Sequence, residues 1–164
     1  MSKRFNLREF QQDLLTRIHA QSTVGGQDSM LGVQVGATYY LLDMLDIAEV
    51  LPIPPLTAVP LTQPWYCGVA NVRGNLYGVM DLCAYLGQGE TRRESENRVL
   101  LLSAKFSFGA GLLVARVLGL RDTKNWISSQ RDGVVLYQDE TGRSWRKLDV
   151  AGLLQQSEFL QIGI

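Results

Sequence analysis

The sequence is poor in the residue types that do chemistry. It has one histidine, His19, two cysteines, Cys67 and Cys83, and no excess of either charge, with 16 Lys and Arg against 16 Asp and Glu. A lone imidazole cannot build a metal site. The cysteines lack CxxC spacing and lie among apolar neighbours. That predicts free thiols packed as small hydrophobes in a reducing cytoplasm, rather than zinc ligands or a disulfide. GxSxG, P-loop and HExxH patterns are missing, so nucleophilic, phosphoryl-transfer and zinc chemistry have no visible apparatus. Balanced charge gives no global field toward nucleic acid or an anionic membrane. No apolar run approaches a bilayer-spanning length, and the opening MSKRFNLREF has no apolar signal core.

What is present is an ordinary globular composition. Hydrophobic residues make up 46% of 164, enough for one compact unit or two small fused barrels. The organising stretch runs from Trp65 to Gly87. Val69 and Ala70 read as strand, Arg73-Gly74-Asn75 as a turn in which Gly and Asn tolerate positive φ, and Leu76 to Met80 as the returning strand. Asp81 reads as the N-cap of a short helix that Gly87 closes.

Upstream, Leu7, Phe10, Leu14 and Ile18 share one face of a predicted helix over residues 5–20. It reads as docked on the domain behind it; a partner-binding or membrane-surface helix is the sharper alternative. Ser22 to Ser29 reads as a linker. The globular part then opens with strands Met30–Val35 and Tyr39–Leu42. Asp43, Asp46 and Glu49 recur every three residues, which fits either a helical turn with a wet acidic face or a bent strand. The tight turn before them favours a turn around Leu45-Asp46 and then a strand from Ala48 to Leu51. Their carboxylates lack the spacing of a calcium loop. Pro52 to Pro60 is predicted as an extended surface loop.

Downstream, Gln88 to Asn97 reads as a solvated connector. Arg98–Ser103 and Ala110–Leu118 read as strands, and Arg121–Arg131 as a polar segment anchored by Trp126-Ile127. Val134–Tyr137 and Ser144–Leu148 form a further hairpin. Asp149 then caps Val150 to Leu154, and Phe159 to Ile162 packs back on the body. An internal repeat emerges. Gly74, Asp81 and Leu86 recur as Gly142, Asp149 and Leu154, each 68 residues later. Gly36 and Gly109 make a looser pair. Each copy has the strand content of a small Greek-key or SH3-like barrel.

Taken in order, these residues resemble the CheW family of chemotaxis coupling proteins. The carriers are Tyr40 to Val50, then Thr57 and Pro60, then Gly68-Val-Ala-Asn-Val-Arg73-Gly74, then Val79-Met-Asp81-Leu82. The N-terminal helix, the shortened second half and the Phe-Leu-Gln-Ile ending look most like members that serve type IV pilus twitching systems. The resemblance implies a mainly β fold: two SH3-like five-stranded barrels around a shared core, with an N-terminal amphipathic helix. It divides the chain into 1–29, helix and linker, and 30–164, the CheW-like domain. It further implies a non-catalytic adaptor without cofactor or metal. Such an adaptor joins the cytoplasmic tip of a methyl-accepting chemoreceptor to the regulatory domain of a CheA-like histidine kinase, at the inner face of the membrane but not inserted in it. Carried over by position, Glu49 and Arg73 pair at the binding groove, with Ile47, Val50, Gly68, Asn71 and Gly74 beside them. Arg73 can equally be a turn-holding residue. The chain departs from the pattern at Gly78, at Ala115, and in residues 121–134, which lack the family's proline-containing connection. A coupling protein of a flagellar pathway and an oligonucleotide-binding barrel are the alternatives; neutral charge and scattered aromatics oppose the second.

Overall fold

The computed structural model describes residue 11, residues 29–107 and residues 109–164. The helix expected over residues 5–20 and the linker after it lie outside the described residues, apart from Gln11. So does His19.

The alternating apolar residues from Ser29 onward form β1 (Ser29–Val35), which turns into β2 (Thr38–Asp43). The acidic segment combines both predicted possibilities. Asp43 caps a 3-10 turn at Met44–Asp46 by accepting from the Leu45 N–H, and the chain then extends as β3 (Ile47–Leu51). The proline-rich loop contains a two-residue strand, β4 (Leu56–Thr57), on a sheet edge where missing donors matter least. β5 (Tyr66–Val72) and β6 (Asn75–Asp81) form the central hairpin. Asp81 caps helix α1 (Leu82–Tyr85) as expected, accepting from the N–H groups of Cys83 and Ala84.

The connector 88–97 is less solvated than its charges suggest. Thr91 and Asn97 are buried, and Thr91 donates both its N–H (2.8 Å) and its hydroxyl (2.6 Å) to the buried Asp81 carboxylate. Burying a carboxylate is costly unless donors replace its water, and here four do so. β7 (Arg98–Leu102) follows. The expected strand 110–118 is broken at Ala115 into β8 (Ala110–Val114) and β9 (Arg116–Asp122), because the chain crosses there from one sheet to the other. Residues read as a polar segment contain β10 (Ile127–Arg131), paired with β11 (Val134–Gln138). β12 (Ser144–Lys147), α2 (Val150–Gln155, capped by Asp149) and α3 (Ser157–Leu160) complete the fold.

The sheets are β10-β11-β12-β2-β1-β9 and β4-β5-β6-β8-β7-β3. These are one order with the two repeats exchanged: β1 to β6 in one sheet stand where β7 to β12 stand in the other. The 68-residue offset therefore reflects real structural equivalence, and it also matches Tyr77 with Trp145. Hairpin β1–β2 meets β12 through a parallel ladder, and hairpin β7–β8 meets β6 in the same way. Each sheet has six strands, one edge strand more than the five implied.

Among the described residues three apolar clusters follow from this order. One lies between the sheets, with Val33, Val35, Leu42, Leu100, Leu112, Val114, Leu82 and Val150 all fully buried. A second lies inside the curl of the β3–β8 sheet, around Ala70, Val79, Val99, Leu101 and Leu113. A third, Met30, Leu41 and Trp145, lies inside the other curl. Gly32 makes room for Trp145, whose ring would lie 3.0 Å from a Cβ there. At the bottom, Phe159 stacks on Trp65 (5.8 Å) and meets Tyr85 edge-on (5.1 Å), which fixes the tail as the sequence predicts. Cys67 and Cys83 are both free, and burial pushes both thiols up, so they stay protonated and packed.

Leu101 is fully enclosed, so Leu101→Ala is expected to destabilise the fold by about 2–4 kcal/mol in urea denaturation. Asp139 generates a second prediction. Burial pushes its carboxyl up. Bonds from the Thr141 hydroxyl, the Trp145 indole (3.0 Å) and the Arg143 and Thr141 N–H groups outweigh that and lower it from 3.8 to about 2. A depressed folded-state value means its contribution is complete above the ordinary carboxylate range and is lost as pH falls through about 2. Asp139→Asn should flatten the stability–pH curve between about pH 4 and 2, measured by denaturation at each pH.

Candidate functional site

The β5–β6 hairpin closes through a two-residue turn, Arg73-Gly74, with Val72 opposite Asn75. Both turn residues have positive φ, +52° and +85°, as the turns that match strand twist require. The left-handed residues are therefore Arg73 and Gly74, while Asn75 is already in the ladder. Glycine tolerates this conformation freely; arginine does not, and such a residue is uncommon outside turns. The Asn71 side chain supports the turn by accepting from the Gly74 N–H at 2.9 Å.

Held this way, Arg73 reaches β3, which lies at the far edge of the same sheet. Its Nη1 donates to Glu49 Oε1 at 3.0 Å and its Nη2 donates to Oε2, a bidentate pair. The sheet curls until β3 approaches the β5–β6 turn, and the pair bridges the seam between them. The glutamate is enclosed, with 15% of its side chain exposed, while the arginine is 54% exposed. Hydrogen bonding to Glu49, and then its charge, raises the guanidinium further above its ordinary value, so the arginine is charged at every relevant pH.

The other expected site residues divide. A bulge between Ile47 and Glu49 shifts the register of β3, so Ile47 opposes Leu102, Glu49 opposes Leu101 and Val50 opposes Leu100. Glu49 therefore lies on the inner face of the curl, while Ile47 and Val50 point into the core between the sheets. They position the strand rather than line its seam. Gly68 is buried under β4: a Cβ would lie 2.4 Å from the Thr57 carbonyl oxygen, and its φ is +132°. Its role is to let β4 approach. Asn71 and Gly74 are exposed with Arg73.

Three neighbours escape a sequence reading. Leu76, opposite Asn71, is 66% exposed because the ladder to β8 starts only at Gly78. Lys105 pairs with Asp46 at 2.6 Å. The side chain of Gln11 donates to the carbonyl of the exposed bulge residue Ala48 at 2.5 Å. The bulge and the end of the ladder are set by pairing between strands far apart in the chain, and no local pattern announces them. The acidic triplet is divided among three tasks: Asp43 caps, Asp46 pairs with Lys105 and Glu49 pairs with Arg73. Among the described residues no group of three His, Cys, Asp or Glu side chains could hold a metal ion. Among them also, no helix is long and apolar enough to cross a membrane.

The arrangement offers a charged, hydrogen-bonding arginine at a two-residue turn, with an exposed Leu76 on the other face of the same hairpin. A double-mutant cycle on Glu49→Gln and Arg73→Gln should give a coupling of about 0.2–1 kcal/mol, since one partner is solvent-facing. A coupling above about 2 kcal/mol in denaturation would make the pair a fold-determining contact.

Comparison with known proteins places this geometry in context. The family model described as CheW-like domain matches residues 29–158. Protein PilI of Pseudomonas aeruginosa is 38% identical over 93 residues, 57% of this chain and 52% of that protein. Protein FrzA of Myxococcus xanthus is 37% identical over 76 residues, 46% of this chain and 47% of that protein. The chain thus spans about half the length of these curated relatives. The crystal structure of the scaffolding protein TtCheW from Thermoanaerobacter tengcongensis superposes with a TM-score of 0.67, covering 82% of this chain and 97% of that one at 18% identity. That last likeness concerns the fold alone.

Proposed function

The chain belongs to the CheW-like domain family, and from that premise we propose that it is a non-catalytic adaptor in a chemosensory pathway. Its role is to couple the cytoplasmic tip of a methyl-accepting chemoreceptor to the regulatory domain of a CheA-like histidine kinase. Residues 30–164 are the coupling domain and residues 1–29 an appended helix and linker. The observation that carries this reading is the Glu49–Arg73 pair. It ties the seam of one curled sheet and leaves about half of the arginine side chain exposed at a two-residue turn. An arginine held by one half-buried carboxylate, on the same hairpin as an exposed Leu76, suits a helical hairpin presenting carboxylate and apolar side chains.

The pseudo-symmetry supports separate faces for the two partners. Through the ladders, the position equivalent to Glu49 in the second repeat is Gly119, and the 68-residue offset makes Thr141 the equivalent of Arg73. The ion pair therefore exists in one repeat only, and two like-shaped barrels present unlike chemistry. The similarity to PilI directs the reading to a pathway controlling type IV pilus twitching, with the protein cytoplasmic and recruited to receptor arrays.

Titrating isotope-labelled protein separately with a receptor-tip hairpin and with a kinase regulatory domain tests this. Amide shifts should cluster at Glu49, Asn71, Arg73 and Leu76 with the receptor tip, and elsewhere with the kinase domain. Arg73→Ala should weaken the receptor contact about tenfold or more, within the ~1.5–3 kcal/mol of a hydrogen bond to a charged group. Cooperative unfolding should be retained. Absence of shifts with both partners would sink the adaptor reading. Loss of cooperative unfolding in the variant would make Arg73 structural.

A further inference from the structure

The two repeats differ most at their outer edges. In one sheet the edge strand β4 is two residues long, and the prolines flanking it belong to a set that all fall in residues 52–64. In the other, the edge strand β10 runs five residues, Ile127 to Arg131, every one of them exposed. No proline occurs after Pro64. Short length and proline are the usual protections of a sheet edge, and β10 has neither.

The hairpin register says which groups are open. β10 and β11 close through a two-residue turn between Arg131 and Val134. In such a hairpin the backbone groups of Ile127, Ser129 and Arg131 bond to β11. Those of Ser128 and Gln130 then point away from the sheet. They form a ready template for an added strand.

Charge selects what is added. Residues 116–147 hold seven Lys and Arg against four Asp and Glu, whereas residues 29–97 hold three against seven. Among the described residues, Lys124, Arg131, Arg146 and Lys147 have no carboxylate within ion-pair distance. Lys124 precedes β10 and Arg131 ends it. Arg146 shares its face, since it opposes Leu136, which opposes Ser129. On that face Ile127 is 69% and Val134 37% exposed. The turn end borders a cleft of about 640 Å³ that carries Val134, Val135, Arg146 and Lys147 on its wall but also Asp43, Asp46 and Asp149, so the cation excess belongs to the β10 edge and not to the cleft.

We propose that β10 is a docking edge for an extended acidic segment of a partner protein, which joins the sheet as a seventh strand. Backbone bonds to Ser128 and Gln130 hold the segment. Its carboxylates meet Arg131 and Lys124 at the two ends of β10, and an apolar side chain covers Ile127. A second copy would bring another edge carrying Lys124 and Arg131 alongside the first, so charge opposes self-pairing.

The probe is a capped ten-residue peptide of valine, threonine and glutamate, with a twin carrying lysine at each glutamate. The glutamate peptide should slow amide hydrogen exchange at Ser128 and Gln130 about tenfold at saturation, and the lysine twin should not. Gln130→Pro removes an outward N–H at a position where an edge tolerates proline, so it should abolish the protection while the rest of the spectrum is unchanged. Arg131→Glu should reverse the preference between the peptides. Four results overturn the proposal: no slowing at millimolar peptide, protection that survives in Gln130→Pro, shifts confined to Glu49 and Arg73, or protection that rises with protein concentration alone. The last would assign the edge to a second copy.

Discussion

Neither repeat of this chain can bury its own apolar surface. The core between the sheets takes Leu31, Val33 and Leu42 from the first repeat and Leu112, Val114 and Val150 from the second. Strands β3 and β9 leave the hairpins that precede them and cross to the opposite sheet. Each sheet therefore needs strands from both copies before its six-stranded order is complete. Burial of that shared core is the constraint on which the rest depends, because burial of apolar area is the main favourable term in folding. It couples the two halves into one unit.

The crossing also builds the site. β3 reaches the seam opposite the β5–β6 turn only because it has been carried into the sheet of that hairpin. Glu49 sits on its inner face because a bulge shifts the register by one residue, which exchanges the faces of a strand. Arg73 adopts a left-handed conformation that its own chemistry disfavours, and the turn geometry imposes it. The pair is thus an outcome of strand crossing, a bulge and a turn acting together, and its arginine half is left exposed. In the second repeat the same backbone places Gly119 and Thr141 there, and fills the curl with Trp145 instead. Divergence of side chains on a repeated backbone gives two faces of different character without any change of fold.

Much of this was readable in one dimension. Hairpins and capped helices announce themselves locally: alternating apolar residues around glycine, and aspartates ahead of short apolar runs. Asp81 and Asp149 are caps in the structure as in the pattern. The repeat could be recognised from spacing because turns and caps tolerate few residue types. The family motif followed from the same positions and led to Glu49 and Arg73 as partners. Other features had no local signature. After Ile127, β10 is Ser, Ser, Gln and Arg, residues of weak strand preference, held by pairing to β11. The break at Ala115 lies in a run that looks continuous, since apolar residues suit either sheet. Thr91 and Asn97 read as loop, and are buried because a caged carboxylate and a neighbouring strand draw them in.

The amino-acid sequence by itself determined the local elements, their duplication and the side-chain chemistry available at Glu49 and Arg73. Each rests on contacts within a few residues, or on chemistry that only certain side chains supply. The tertiary structure alone decided that strands would be exchanged between sheets, that Glu49 would face the seam while Ile47 and Val50 face the core, and that one edge would be left open. Those features depend on register and on burial between segments distant in the chain, and the free energy of such contacts is shared by residues that no local window contains.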